Sequence, residues 1–292
     1  MKKKYSAFSL IEISVVILVI GILIAGVSSG IDLYADAKLT KVRNLTISSR
    51  VGRIPDLVAW YETTLKKNFS TGTSTYQDVE NITKNTKINR WKDINPVNTK
   101  PNNAIQNTAN NQPIIIIDND TLLPMVNFTG ASSQFLSLPD GTVPFGNSEY
   151  TVILVSRLKS VCTCNVLSSG EFNNGDYRNN TFGYDGDGTF KNYWWNSDFN
   201  AGSYIVNQLN IVVITYDLFQ RMGYLNGALK STKTDSIARS STKINNRIGR
   251  SSGSADYFTG DIGEIIIYDR ALNNSERKDI ENYLAKKWEI KI

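Results

Sequence analysis

The chain has 292 residues, 32 Lys+Arg against 27 Asp+Glu, a net charge of +5 and no histidine. Without imidazole there is no Ser-His-Asp or Cys-His catalysis, no histidine metal site and no histidine pH switch. Three of the surplus cations are Lys2, Lys3 and Lys4, so the basic balance speaks to orientation at a membrane, and no nucleic-acid partner is indicated.

The N-terminal stretch Met-Lys-Lys-Lys-Tyr-Ser-Ala leads into Phe8 and a long apolar run broken by a single acid, Glu12. From Ile13 to Ile31, 19 residues pass without a charged side chain, about enough for a helix to cross the ~30 Å hydrocarbon core. A carboxylate deep in such a segment costs at least ~2.5 kcal/mol, which marks Glu12 as functional. A secretory signal places its small-residue cleavage site after an apolar stretch of about 7–15 residues. Here the small residue, Ala7, precedes a longer run. Leu33, Ala37, Leu39, Val42, Leu45 and Ile47 continue among charged and polar residues, with neither Pro nor Gly between Ile31 and Gly52. The spacing predicts one helix extending to about residue 48.

Past Ile54 the pattern changes. Leu57-Val58-Ala59-Trp60-Tyr61-Glu62 reads as a short strand, and residues 66–112 read as loop. Strands are expected at 114–118, 124–128, 134–138, 150–158, 164–168, 181–184, 190–196, 210–217, 220–225, 244–249 and 261–268, separated by Gly, Asn, Asp and Ser. Asn226-Gly227 signals a tight hairpin. Many short strands at this spacing predict a β-sandwich or jelly roll. Asn273 to Trp288 then places Ile280, Tyr283, Leu284 and Trp288 on one helical face, with Asn273 and Glu276 at capping-box spacing.

The N-terminal residues Lys2, Lys3, Lys4, Ala7 and Phe8-Ser9-Leu10-Ile11-Glu12 resemble the prepilin signal of type IV pilins and of type II secretion pseudopilins. Ala7 stands where that family usually has Gly. The resemblance implies cleavage between Ala7 and Phe8 by a prepilin peptidase, N-methylation of Phe8, and a filament-assembly role for Glu12. It also implies other pilin-like subunits as partners of the helix. The chain would sit in the bacterial inner membrane as a single pass, N-terminus cytoplasmic, before entering a periplasmic or extracellular filament.

The remainder is similar to the concanavalin-like, laminin-G-like jelly roll. The matching pieces, in order, are Leu57-Val58-Ala59-Trp60-Tyr61, Trp91-Lys92-Asp93, Pro124 to Gly130 with Gln134-Phe135-Leu136, Tyr150 to Val155, Tyr224-Leu225-Asn226-Gly227 and Gly260 to Leu272. Thr129 stands where the pattern has Asp. The fold expected is mainly β: a leader over 1–7, a long pilin-like α-helix over 8–53, then over 54–292 a two-sheet antiparallel jelly-roll sandwich with a short C-terminal helix.

Glycosidases on this fold use two carboxylates, which the family places as E-x-D-x-x-E on one strand. That run is absent, and no enzyme activity is expected. Binding is the better reading. Asp185 and Asp187 in a Gly-flexed loop are candidate ligands for Ca²⁺, which takes 6–8 oxygens, or belong to an ordinary polar turn. Tyr184, Trp194, Trp195 and Asn196 are candidate carbohydrate contacts, with one of the adjacent indoles in the core and the other outside. Cys162 and Cys164 either form a disulfide, permitted outside the inner membrane, or remain thiols beside a loop. The functional expectation is a minor or tip subunit of a pilin-like filament that presents a non-catalytic, lectin-like domain to a glycan or surface protein. The alternatives are a pseudopilin of a secretion or DNA-uptake machine and a membrane-anchored lectin-like protein that never polymerises.

Overall fold

A computed structural model describes residues 9–72, 75–171, 178–235, 237–253 and 255–292. Contacts divide the chain into Met1–Val42 and Arg43–Ile292. Helix α1 runs over Leu10–Ser48, ending where the sequence loses its apolar periodicity ahead of Gly52 and Pro55. Its stretch Leu10–Val27 is apolar and long enough to cross a membrane, and none of it is covered by the rest of the chain.

The second unit opens with β1 (Leu57–Glu62), β2 (Phe69–Ser70), β3 (Arg90–Trp91), β4 (Ala104–Ile105), β5 (Ile114–Ile117), β6 (Pro124–Phe128) and β7 (Leu136–Ser137). Then follow β8 (Tyr150–Leu158), β9 (Cys164–Gly170), β10 (Asn179–Tyr184), β11 (Thr189–Tyr193), β12 (Phe199–Ser203) and β13 (Asn210–Tyr216). β14 (Gln220–Leu225), β15 (Ala228–Thr234), β16 (Arg247–Ile248), β17 (Gly260–Tyr268) and α2 (Asn274–Trp288) close the series.

The strands form two antiparallel sheets. One has the order β15-β14-β13-β8-β17-β6-β5, with β1 also paired to β17. The other has the order β12-β11-β10-β9-β16-β7-β4-β3-β2. Alternation in the strands supplies the core between them. Ile265 and Ile267 of β17, Val152 and Leu154 of β8, and Phe182 and Tyr184 of β10 all point inward. Each side chain fully buried this way contributes roughly 1.5–3 kcal/mol. Asn226 and Gly227 turn the β14–β15 hairpin with φ of 48° and 78°, the left-handed pair that a two-residue hairpin requires.

The outer face of the first sheet is also covered, which is why β8 and β17 are buried along their whole length. α2 lies there. The Asn273 side chain accepts from the Ser275 and Glu276 amides, and Glu276 reaches back to the Asn273 amide. Ile280, Tyr283, Leu284 and Trp288 are buried as the sequence predicts. A Cβ at Gly263 would lie 2.6–2.9 Å from the Trp288 ring, so only glycine lets the helix approach. Beneath α2, Lys287 Nζ sits 2.8 Å from Glu62 and 2.9 Å from Glu264, all three fully buried. Glu264 also accepts from Trp60 Nε1 (2.7 Å), the Tyr283 hydroxyl (2.8 Å) and Trp288 Nε1 (3.1 Å). The motif Gly-Glu-Ile-Ile-Ile-Tyr thus carries an acid that anchors the terminal helix.

Candidate functional site

The N-terminal candidates are only partly within the structure. Ala7 and Phe8 lie outside the described residues. Glu12 is exposed at the start of α1, where its Oε2 accepts from the Ser9 amide at 2.9 Å. The Ser9 hydroxyl oxygen accepts from the Ile11 amide at 3.3 Å. In the single chain Glu12 therefore helps close a cap on the helix, and its carboxylate faces no cation of its own chain among the described residues.

The sandwich candidates sort into three places. Asp185 and Asp187 occupy the turn between β10 and β11, as the Gly-rich sequence predicts. Lys191, two residues into β11 beyond Thr189, reaches back so that its ammonium lies 2.7 Å from each carboxylate. Asp185 Oδ2 also accepts from the Tyr193 hydroxyl at 3.1 Å, and Asp187 Oδ1 from the Thr189 amide at 3.0 Å. Burial pushes Asp185 up, but the Lys191 hydrogen bond and charge outweigh it and hold the carboxyl below its usual range. The hydrogen bonds of Lys191 and Thr189 hold Asp187 down likewise. The ammonium stands where a bound cation would, and the described residues contain no group of three or more candidate metal ligands.

Cys162 and Cys164 are joined in a disulfide just before and at the start of β9, in a turn beside this hairpin. The Thr163 hydroxyl between them accepts from the Gly186 amide at 3.3 Å. Tyr184 does not present its ring to solvent. It stacks on Phe258 at 5.8 Å, meets Phe190 and Tyr204 edge-on, and shares a hydrogen bond with Ser156 at 2.9 Å.

Trp194, Trp195 and Asn196 lie at the far end of β11 from the Asp185 turn, about 16 Å away at a strand's rise per residue. The structure does not bring the two groups together. Trp194 is fully buried with the Arg221 guanidinium 3.7 Å from its ring centre, and Asp235 pairs with that arginine. Its ring face is occupied. Trp195 is 45% exposed, because β11 ends at Tyr193 and both Trp195 and Asn196 turn with positive φ. One indole in and one out follows, but from a left-handed turn and not from strand alternation.

Two further features were not singled out from the sequence. A cleft of about 460 Å³ is lined by Asp118, Asp120, Arg157, Asn207, Gln208 and Asn226 among others. Arg157 pairs there with Asp118, with Asp120 at 3.1 Å and with Asp261 at 3.3 Å. Despite burial, these hydrogen bonds hold Asp118 below its ordinary range. On the second sheet, Arg247 and Arg250 gather over the rings of Phe135 and Tyr257. The lysine in β11 had a signal, its i+4 spacing from Asp187. The arginines had none, since only strand register places them beside Phe135.

Comparison with known proteins adds the following. Residues 129–276 match the model of the concanavalin A-like lectin/glucanases superfamily, and residues 2–28 match the prokaryotic N-terminal methylation motif. No curated protein matches the chain. Among solved structures, it is similar to domain 4 of AbnA, an extracellular arabinanase from Geobacillus stearothermophilus, solved in complex with arabinotriose. The identity is 17%, the TM-score 0.50, and the match covers 77% of this chain and 98% of that one. It is also similar to the binding domain of Paraclostridial Mosquitocidal Protein 1, with 15% identity, a TM-score of 0.53, and coverage of 78% and 52%. A Trypanosoma rangeli sialidase matches at 15% identity and a TM-score of 0.49, and the chain spans 38% of its length. At these identities the likeness is one of fold.

Proposed function

Because the chain belongs to the concanavalin A-like lectin/glucanase superfamily, we propose that it is a type IV pilin-like subunit whose sandwich is a non-catalytic, sugar-recognising head. The observation that carries this reading is the union, in one chain, of a prepilin methylation motif and a lectin-like sandwich. Type IV pilin-like processing follows from the motif. The prepilin peptidase cuts before Phe8, the apolar helix holds the chain in the inner membrane, and assembly then moves it into a filament. The uncovered apolar surface of Leu10–Val27 needs lipid first and neighbouring helices afterwards. A head spanning 54–292 is too bulky to repeat along every rise of a thin filament, which favours a minor or tip position and a role in adhesion.

The acids beside Arg157 and beneath α2 support a binding head over a hydrolase. A glycosidase needs a carboxyl kept protonated by its surroundings. In the cleft beside Arg157, burial pushes Asp118 up but the Arg157 hydrogen bond holds it down and ionised, and Asp261, next to that cleft, is tied to Arg157 and to Lys159 at 2.8 Å. Beneath α2, Glu62 and Glu264 are committed to Lys287.

The test combines mass spectrometry of the mature N-terminus with a glycan array probed by the full chain in detergent. N-methylated Phe8 and a positive array are expected. A mature start after residue 25 would overturn the pilin-like reading. A blank array would leave assembly, as in a pseudopilin, as the function of the head. Release of sugar from a polysaccharide would overturn the non-catalytic assignment.

A further inference from the structure

The outer face of the first sheet carries a polar groove past the end of α2. Register sets Arg157 of β8 beside Asp261 of β17, and both point outward because Leu158 and Ile262 enter the core. The cleft of about 460 Å³ lies to one side of this pair and a second cleft, of about 290 Å³, adjoins it. Asp118, Asp120 and Arg157 line both. The walls come from residues 118–123 between β5 and β6, from residues 204–209 between β12 and β13, and from the tail after α2. The larger cleft falls within the roughly 300–1,000 Å³ of known ligand sites.

These walls are held by bonds of their own. Thr121 donates its amide and its hydroxyl to Asp118 Oδ2 at 2.9 and 2.8 Å, and the Arg157 guanidinium ties Asp118 to Asp120. The Asn207 amide donates to the Leu158 carbonyl at 2.8 Å, and Asn207 takes a left-handed φ of 65°. Segments ordered beforehand lose little further freedom when a ligand arrives. The rim is open to solvent. The Asp120 side chain is 81% exposed, and Asn207 and Gln208 are exposed as well. The side-chain amides of Asn207 and Gln208 make no hydrogen bond among the described residues. Val206, Leu209 and Ile290 add half-buried apolar surface to the same cleft.

Charge decides which class of ligand fits. Arg157 faces Asp118, Asp120 at 3.1 Å and Asp261 at 3.3 Å, and Lys159 lies 2.8 Å from Asp261. An anion would compete with three carboxylates for Arg157. A cation would compete with Arg157 and Lys159 for those carboxylates. Either displacement strips a buried charge of its partner, which is costly. Lys84 and Lys291 stand exposed at the margins, where solvent and salt screen them. The uncommitted groups are two neutral amides and Asp120 Oδ1, set beside an apolar wall. A sugar matches that set, because each hydroxyl both donates and accepts while the C–H face of the ring is apolar.

We propose that this groove binds a neutral glycan, its hydroxyls taken by Asp120, Asn207 and Gln208 and a ring face laid against Val206, Leu209 and Ile290. The proposal rests on the sugar-recognising reading of the head and gives that reading a place and a ligand class. Arg157 holds Asp120 through Oδ2, which leaves Oδ1 to accept from a hydroxyl. The amides of Asn207 and Gln208 each offer a carbonyl and an NH₂, so together they serve the donor and the acceptor of neighbouring hydroxyls. Arg157 itself is a positioning residue, since its guanidinium is spent on the three aspartates.

The experiment probes the full chain in detergent against an array of neutral, carboxylated and amino oligosaccharides, then titrates the neutral oligosaccharide that binds most tightly. Neutral members should bind. Asp120→Ala removes a charged acceptor and should weaken binding about tenfold or more. Gln208→Ala and Asn207→Gly should each weaken it about threefold or more, and glycine keeps the left-handed backbone at 207. Melting temperatures of the three variants should stay within about 2 °C of wild type, because these exposed side chains make few or no bonds of their own. Asn107→Ala, an exposed amide outside the groove, should bind within about twofold of wild type. Unchanged binding by all three groove variants, or an equal loss in Asn107→Ala, would overturn the proposed site and leave the sugar-recognising head standing. Binding of carboxylated or amino sugars alone would overturn the neutral ligand class, again without touching that reading. A blank array would overturn both.

Discussion

Replacing Lys287 by methionine removes the ammonium held 2.8 Å from Glu62 and 2.9 Å from Glu264 and keeps most of the side-chain volume. Two buried carboxylates then lack their cation, a change that costs about 3–5 kcal/mol. For a domain of this size each kcal/mol lowers Tm by ~2–4 °C, so the variant should melt about 6–20 °C lower. The pH dependence gives a second readout. Burial pushes Glu62 up, but the charge and hydrogen bond of Lys287, with further bonds from Thr64 and Leu65, hold it below the ordinary carboxylate value. A depressed acid contributes stability above its unfolded pKa that is lost as pH falls through the folded one. Burial pushes Lys287 down, yet the two glutamates raise it, so its contribution is complete below the ordinary lysine pKa and is lost as pH rises through the folded value. The wild-type triad therefore stabilises across the neutral range. In Lys287→Met only burial and local hydrogen bonds remain at Glu62, its pKa rises, and protonation relieves the variant as the pH falls toward about 5. Thermal melts of the full chain, followed by circular dichroism at neutral and mildly acidic pH, test both points. A Tm drop under about 2 °C, or a gap that fails to narrow in acid, would refute the reasoning.

Glu12→Gln keeps the shape of the side chain and removes its charge. Filament incorporation, read by immunoblotting of sheared filaments, should fall while the Tm of the head is unchanged, and normal incorporation would count against pairing with a neighbouring N-terminus. Calcium should move the wild-type Tm by less than about 1 °C, since Lys191 already neutralises Asp185 and Asp187, whereas in Lys191→Met a shift that grows with Ca²⁺ should appear. Scanning fluorimetry with and without EDTA checks this. A clear wild-type shift would mean that the metal displaces the lysine.

Long buried strands were legible because their composition is continuous: Tyr150–Leu158 and Gly260–Tyr268 lie within one residue of where the sequence places them. The terminal helix was legible from its cap and its four-residue apolar face. Arg90–Trp91 and Ala104–Ile105 were not, because two residues carry no period and pair only through their neighbours. Phe199–Ser203 was hidden by small polar residues that read as turn. The candidate site suffered from the same locality. Tyr184 and Trp194 look like sugar-stacking aromatics beside Asp and Asn, yet Phe258 and Arg221 arrive from far along the chain to cover their faces. The converse holds for Arg247 and Arg250, in and just after the strand expected at 244–249, whose place beside Phe135 only register shows.

The pairing of β1 with β17 fixes when this head can fold. Among the described residues Leu57–Glu62 pairs with Gly260–Tyr268 alone, and β6 and β8 pair with that same late strand. Glu62 then waits for Lys287, near the end of α2. In the proposed topology the leader stays cytoplasmic and the head crosses the membrane from residue 54 onward, so almost the whole sandwich would be exposed before this closing strand arrives. In that interval β8, rich in Val, Ile and Leu, has an unpaired edge, and contacts so distant in sequence form slowly. For the filament subunit proposed above, this interval is the one most open to proteolysis and to strand exchange, and the proposal then orders export, folding and filament entry in that sequence.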